Sequence, residues 1–122
     1  MRNQQADLQW LDDMLEFIAL LEKSLKGVSP DKFYKADPLW KWGIVKLIEN
    51  IGESAYRLTD KTRSLSPDFP WGEVMGMRNR LVHGYDKINY ITVYEVATQE
   101  LKPLKAEIKR LKRVLKAKSK RN

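Results

Sequence analysis

The nine residues MRNRLVHGY (77–85) bring together side chains that could act on a phosphodiester. His83 is the only histidine of the chain, and an imidazole can take up or release a proton near neutral pH. Arg78 precedes it by five residues, and a guanidinium can bind two phosphate oxygens at once. RNA carries its own nucleophile, the 2′-OH, so its cleavage requires a base, an acid and a cation for the developing charge. The stretch therefore suits metal-independent RNA cleavage, with His83 as base or acid and Arg78 as the phosphate-binding group.

Other phosphate chemistries fit the sequence less well. One histidine and no cysteine make a poor set of metal ligands, and the acidic residues are scattered rather than clustered. No glycine-rich phosphate-binding loop follows a strand-like segment, which argues against a nucleotide-binding P-loop. We therefore expect neither a metal ion nor a cofactor.

The same side chains also admit structural roles. A histidine at a helix end often donates to a carbonyl or packs at an interface, which would account for His83. Arg78 and Arg80 could form salt bridges with acids such as Glu53 or Glu73. Tyr85, the last residue of the stretch, could be a core phenol with a hydrated hydroxyl. The spacing alone leaves these alternatives open.

A single chain supplies only one imidazole, whereas acid–base cleavage uses two proton-transfer groups. A symmetric dimer would bring two copies of the motif together. Four tryptophans are many for 122 residues, and the apolar stripe of the last helix extends beyond what a short bundle can cover. We therefore expect a homodimer formed through surplus apolar surface. The alternative is that the tryptophans simply fill the core.

Apolar residues at three- and four-residue steps predict four main helices, and no segment alternates as a strand would. The helices are expected over about 8–25, 38–63, 71–83 and 89–116. Gly27 would end the first helix, Gly84 would cap the third, and Pro103 would bend the last. The core arc of the second helix is predicted to contain Ile44, Leu47, Ile48, Ile51, Ala55 and Leu58. The predicted fold class is all-α, an antiparallel bundle of four or five helices.

A helical wheel through the third predicted helix places Arg78 in the apolar arc with Val74 and Leu81. A buried guanidinium there would require a partner, because an unpaired charge is costly away from water. Asn79 and His83 share another face. Arg78 and His83 are about 140° apart on an ideal helix, so they converge only if the helix loosens or the arginine reaches round.

Size and composition predict a single domain over residues 1–122. The hydrophobic fraction of 43% is that of an ordinary globular protein. No apolar run approaches the roughly 20 residues that span a bilayer, and the N-terminus lacks the apolar centre of a secretory signal. Together with the lack of cysteine, these features lead us to expect a cytoplasmic protein with no membrane segment.

The net charge of +7 is concentrated near the C-terminus. Residues 101–122 contain ten Lys and Arg and a single acid, Glu107. We expect a basic helical tail at about 105–122, which could bind RNA phosphates or contact a partner. The alternative is a solvated helix end whose cations suit the helix dipole.

The motif resembles that of the HepT-like branch of the HEPN superfamily, in which an arginine is followed after four to six residues by histidine–any–tyrosine. Here it reads Arg78, four residues, His83-Gly84-Tyr85. Three further blocks resemble the family in the same order. They are IENIGESA (48–55), FPWGEVMGMRN (69–79) and HGYDKINYITVYEV (83–96).

This resemblance implies an α-helical homodimer in which two motifs face each other and cleave RNA without a metal. Arg78 and His83 would be catalytic, with Asn79 and Arg80 in support. Glu53 matches a family glutamate that could hold Arg78, although the helical wheel places it on the outer face of its helix. Tyr85 matches the tyrosine to which a cognate nucleotidyltransferase antitoxin transfers AMP.

The resulting hypothesis is a metal-independent endoribonuclease toxin of a type II/VII-like toxin–antitoxin pair. It would cleave RNA at the dimer interface and be neutralised by a nucleotidyltransferase that modifies Tyr85. One alternative is a non-catalytic helical module that docks the nucleotidyltransferase. Another is a nucleic-acid-binding protein that acts through its basic tail.

Overall fold

Helices make up most of the chain in the computed structural model, which describes residues 3–83 and 87–121, with the backbone alone at residues 4, 83 and 121. The elements are α1 (Gln4–Leu25), α2 (Pro30–Tyr34), α3 (Pro38–Arg57), α4 (Asp60–Arg63), α5 (Trp71–Met75), α6 (Met77–Leu81), β1 (Val82–His83), β2 (Lys87–Ile88), α7 (Tyr90–Glu95), a π-helical segment (Val96–Glu100) and α8 (Leu101–Arg121). The predicted helical class is confirmed, although the short antiparallel pair β1–β2 was not foreseen. None of the helices in these ranges combines the length and apolar composition of a bilayer-spanning segment.

The core lies among α1, α3 and α8, because α1 packs against both of the other long helices. Each helix contributes one apolar stripe at helical spacing. The buried stripes contain Leu11, Met14, Ile18 and Leu21 from α1, Ile44, Ile48, Ile51 and Ala55 from α3, and Leu104, Ile108, Leu111 and Leu115 from α8. The predicted core arc of the second helix is confirmed except at Leu47, which is only partly buried.

The four tryptophans divide between the core and the surface. Trp71 is buried, and Trp10 and Trp40 are partly buried against the core. Trp42 is 48% exposed. Filling of the core therefore accounts for three of the four indoles, and only Trp42 adds to the apolar surface.

The helix predicted over 38–63 is two helices in the structure, α3 and the short α4. Leu58 between them is extended, and Thr59 caps α4 by accepting from the backbone N–H of Thr62. The buried carboxylate of Asp7 accepts from the N–H and hydroxyl of Thr59 at 3.0 and 2.6 Å and from the hydroxyl of Thr62 at 2.5 Å. Because a buried carboxylate requires such donors, this break fastens the end of α3 to the start of α1.

The last predicted helix is present as α7, the π-helical segment and α8. The π-helical segment comes directly before the turn that contains Pro103. Proline has no N–H to donate to the carbonyl four residues earlier, at Gln99, and its ring crowds that carbonyl. We attribute the wider π turn to this conflict, so the disturbance predicted at Pro103 takes the form of a change in helix type.

The short helices α5 and α6 are placed against α3 by a close approach at Gly52. A Cβ added to Gly52 would lie 3.0 Å from the carbonyl oxygen of Val74 and 3.5 Å from that of Met75. Both oxygens belong to the backbone of α5, which cannot move aside as a flexible side chain would. Gly43, in the same helix, is exposed, and an added Cβ there would meet nothing within 4 Å.

We predict that Gly52→Ala and Gly43→Ala have opposite effects on the free energy of unfolding. Gly43→Ala should raise it by about 0.5–1 kcal/mol, because alanine favours helix over glycine. Gly52→Ala should lower it by about 1–3 kcal/mol, because overpacking against a backbone outweighs that gain. Urea denaturation followed by circular dichroism measures both. Stabilisation by both substitutions would mean that α5 can move away from α3 at little cost.

Candidate functional site

The arginine–histidine motif lies on a helix break rather than on one continuous helix. The helix predicted over 71–83 divides at Gly76, which lies between α5 and α6 with φ −94° and ψ 8°. After α6 the backbone becomes extended at Val82, with φ −121° and ψ 120°, and enters β1. His83 is therefore on a strand and not on the last turn of a helix, contrary to the prediction.

The helix α6 is anchored by its two apolar ends. Met77 and Leu81 are buried in the core, whereas Arg78, Asn79 and Arg80 are exposed. The expected burial of Arg78 is wrong, since its side chain is 63% exposed. The wheel assumed a continuous helix, and the break changes the direction in which each side chain of α6 points.

Arg78 lies beside Glu49 of α3 and not beside Glu53. Its Nε is 3.7 Å from the Oε2 of Glu49, whereas Glu53 bonds the Nε of Arg57 at 2.9 Å. The prediction that Glu53 holds Arg78 is therefore wrong. Glu49 is about 60° from the α5-facing Gly52 on the α3 wheel, and Glu53 is about 100° from it, so Glu49 is nearer to the motif. At 3.7 Å the contact is an ion pair without a hydrogen bond, and Arg78 donates to no described residue.

Arg80 is bound by a different acid. Its two terminal nitrogens donate to the two carboxylate oxygens of Glu100 at 2.7 and 3.0 Å, a bidentate pair between α6 and the π-helical segment. The hydrogen bond from Arg80 lowers the pKa of Glu100, and the bond to Glu100 raises the pKa of Arg80. Salt bridges of Arg80 with Glu53 or Glu73 are not found. Both partners are partly exposed, so the pair contributes about 1 kcal/mol at most to stability, but it fixes the direction of the Arg80 side chain.

The backbone around the histidine is fixed from both sides. The N–H of Asn89 donates to the carbonyl of Leu81 at 2.8 Å, which brings the start of α7 to the end of α6. Between these two residues β1 and β2 pair in antiparallel register. For His83 the structure describes the backbone alone, and Tyr85 and the predicted cap at Gly84 lie outside the described residues. The joint site of Arg78 and His83 thus stays a prediction.

The arrangement presents an exposed guanidinium, that of Arg78, on a short helix held by the core, with the exposed amide of Asn79 next to it. Such a group can bind an anionic oxygen without first breaking a hydrogen bond. Within residues 3–83 and 87–121, no three side chains of His, Cys, Asp or Glu form a group that could hold a metal ion. The sequence analysis missed Glu49 and Glu100. A helical wheel drawn for residues 77–81 alone would have placed Arg78 outside the apolar arc and predicted that both arginines pair with acids at the surface.

Comparison with known proteins relates the chain to one family. The family described as "Ribonuclease HepT-like" matches residues 14–111. A protein of Caldanaerobacter subterraneus subsp. tengcongensis named "Putative RNase TTE0752" is 31% identical over 84% of this chain and 90% of its own length. The "Probable ribonuclease HepT" of Thermococcus cleftensis is 24% identical over 85% of this chain and 94% of its own length. No solved structure matches the chain.

Proposed function

The chain belongs to the HepT-like ribonuclease family, and on this premise we propose that it is a metal-independent endoribonuclease whose site contains Arg78 and His83. The observation that carries the proposal is the exposed guanidinium of Arg78, held on α6 five residues before the only histidine and bonded to no described acceptor. Asn79 adds an exposed amide beside it.

In the proposed reaction one imidazole takes the proton of an RNA 2′-OH, and the 2′ oxygen attacks the neighbouring phosphorus. The bond from phosphorus to the 5′ oxygen of the next nucleotide breaks, and a second, protonated imidazole gives that oxygen a proton. Arg78 stabilises the negative charge that builds up on the phosphoryl oxygens. The products are a 2′,3′-cyclic phosphate and a 5′-OH. The reaction consumes no water and requires no metal ion.

The two arginines of α6 have separate tasks in this scheme. Arg80 donates twice to Glu100, so releasing it to a phosphate would break two charge-assisted hydrogen bonds. Arg78 has only the longer contact with Glu49 to give up. Arg78 is therefore the catalytic cation, and Arg80 is a positioning residue that ties α6 to the π-helical segment.

The second imidazole comes from a second copy of the chain, and an apolar surface beside the motif supports such a homodimer. Leu39 is 83% exposed and Trp42 48% exposed on α3, and Ile91 is exposed on α7. Trp42 is two turns before Glu49 on the same side of α3, about 20° away on the wheel. Lys41, between Leu39 and Trp42 in sequence, lies 4.3 Å from the ring of Tyr90, so these parts of α3 and α7 are neighbours.

We propose further that the protein is the toxin of a toxin–antitoxin pair, acting on cellular RNA in the cytoplasm. Its antitoxin would be a cognate nucleotidyltransferase that attaches AMP to Tyr85. Tyr85 follows the histidine by two residues in sequence, so the added phosphate would bring negative charge into the motif and repel RNA.

We predict that His83→Ala and Arg78→Ala each reduce RNA cleavage by at least about 100-fold, as expected for loss of a proton-transfer group or of charge stabilisation. Cleavage of a labelled RNA in excess EDTA measures this. Arg57→Ala is the matched control, because Arg57 is also an exposed arginine paired with a glutamate of α3, and it should retain cleavage within about twofold. Equal cleavage by the wild type and His83→Ala would refute the ribonuclease assignment at this site and favour a docking module.

We predict that Trp42→Glu converts the protein from a dimer to a monomer and abolishes cleavage, because a charge on the apolar surface opposes pairing. Light scattering should report a mass near the chain mass of 14.3 kDa for the variant and twice that for the wild type. Leu20→Glu is the control, since Leu20 is similarly exposed, at 44%, but lies on α1. A monomeric wild type that still cleaves RNA would contradict the shared site.

We predict that co-expression with the cognate nucleotidyltransferase adds one or more AMP units to this chain, detected by intact-mass spectrometry. Tyr85→Phe should abolish the gain, because it removes the accepting hydroxyl. Tyr34→Phe, at an exposed tyrosine of α2, should not. AMP mapped to another residue, or a complex that forms with no modification, would contradict the proposed regulation.

A further inference from the structure

One side of α8 carries a row of five cations, Lys102, Lys109, Arg113, Lys116 and Lys120, which we call the α8 ridge. All five are exposed. On an ideal helix they fall within an arc of about 60° and extend over about 27 Å. The acid of α8, Glu107, lies outside this arc, about 120° from the nearest ridge cation.

The ridge cations have no partner among the described residues, whereas three other cations of α8 each have one. Lys105 pairs with Glu22 at 2.9 Å and Lys112 with Asp12, both on α1, and Arg110 pairs with Glu107 at 2.7 Å. No ridge residue forms an ion pair or a hydrogen bond within the described ranges. The cations that border the core are thus neutralised, whereas the charge of the ridge is uncompensated.

The helix dipole does not explain this row. Cations are favoured only within about the last turn of a helix, where they face unpaired carbonyls. That accounts for Lys120, but Lys102, Lys109 and Arg113 lie in the first two-thirds of α8. The helix dipole therefore leaves the charge of these three residues uncompensated.

A groove runs beside the ridge and leads toward the motif. It has a volume of about 780 Å³, and the loop 65–69 forms one wall. The other wall is formed by α8 through Pro103, Ala106, Glu107, Arg110 and Arg113. A second hollow of about 240 Å³ shares Phe69 and Pro103 with it and is bordered by Arg80 of the motif helix. The two hollows therefore form one track from α6 to the middle of the ridge.

We infer that the α8 ridge binds the phosphate backbone of single-stranded RNA, with bases entering the apolar groove at its side. The inference rests on the proposed ribonuclease function, to which it adds a substrate-binding surface outside the catalytic motif. Uncompensated lysine and arginine in a row suit phosphates. The groove offers Phe69 and two prolines as apolar surface for a base. Its acids, Asp68 and Glu107, disfavour phosphates inside the groove and so favour the ridge side.

A protein partner fits this surface less well than RNA. Protein interfaces are poor in lysine and contain apolar or aromatic residues at their centre. The large apolar side chains that are exposed among the described residues are Leu20, Tyr34, Leu39, Trp42, Tyr56 and Ile91. None of them lies on α8, so the ridge has no apolar centre around which a protein interface could form.

The test compares RNA binding by two variants with equal loss of charge. The ridge variant carries Lys102→Gln, Lys109→Gln, Arg113→Gln and Lys116→Gln. The control carries Lys23→Gln, Lys26→Gln, Lys32→Gln and Lys61→Gln, at exposed lysines elsewhere that form no ion pair with a described residue. The probe is a fluorescein-labelled single-stranded 2′-O-methyl RNA, which lacks the nucleophile and cannot be cut. Fluorescence anisotropy at several salt concentrations gives the affinity and its salt dependence, and circular dichroism checks the fold.

We predict that the ridge variant binds at least about tenfold more weakly at low salt than the wild type. The plot of log association constant against log salt concentration should become less steep by about 0.7 for each lost phosphate contact, and so by up to about 3 for the four substitutions. The control should stay within about twofold of the wild type. Wild-type RNA affinity in the ridge variant would overturn the inference. A ridge variant that keeps its RNA affinity but no longer binds the nucleotidyltransferase would overturn it as well.

The outcome also separates this inference from the ribonuclease proposal. Cleavage that depends on His83, together with unchanged binding by the ridge variant, would leave the function standing and remove the ridge from it. Ridge-dependent binding by a wild-type protein that does not cleave RNA would support the ridge and refute the catalytic assignment.

Discussion

The position of the motif depends on one close approach between two backbones. Gly52 has no side chain, so the carbonyl of Val74 can lie where a Cβ would come within 3.0 Å. Helices as short as α5 and α6 have little stability of their own, so they take their place from what they pack against. The buried ends of α6, Met77 and Leu81, complete the attachment. The contact with α3 and the two buried ends of α6 together determine which side of α6 faces solvent.

The two arginines of α6 are two positions apart in sequence but lie beside different acids. Glu100 binds Arg80 through two hydrogen bonds, and its pKa is lowered in return. Glu49 is near enough to Arg78 to attract it but too far to accept a hydrogen bond. The guanidinium of Arg80 is therefore used in a structural ion pair, whereas that of Arg78 can bind a ligand. Residue type alone does not distinguish the two.

Periodicity predicted the long helices because each buries one apolar stripe, and a stripe can be read from spacing. It missed the break after α3 because that break depends on Asp7, 52 residues away from Thr59. At the site it recognised the residue types but misjudged their directions, since a wheel through Gly76 assumed a helix that the chain does not form. The roles of His83 and Tyr85 come from the motif alone and stay predictions.

The π-helical segment has a consequence for everything that follows it in the chain. A π turn holds one residue more than an α turn, which rotates all later side chains by about 100° relative to an uninterrupted helix. With this phase the leucines of α8 face α1 and the ridge faces water. Deleting a single residue from Val96–Glu100 would remove the extra residue of the π turn and leave the leucines of α8 facing α1, because the shift in sequence and the lost π turn cancel. A deletion within α8 has no such compensation and would turn lysines toward the core. Natural variation in length should therefore fall in this segment rather than in α8.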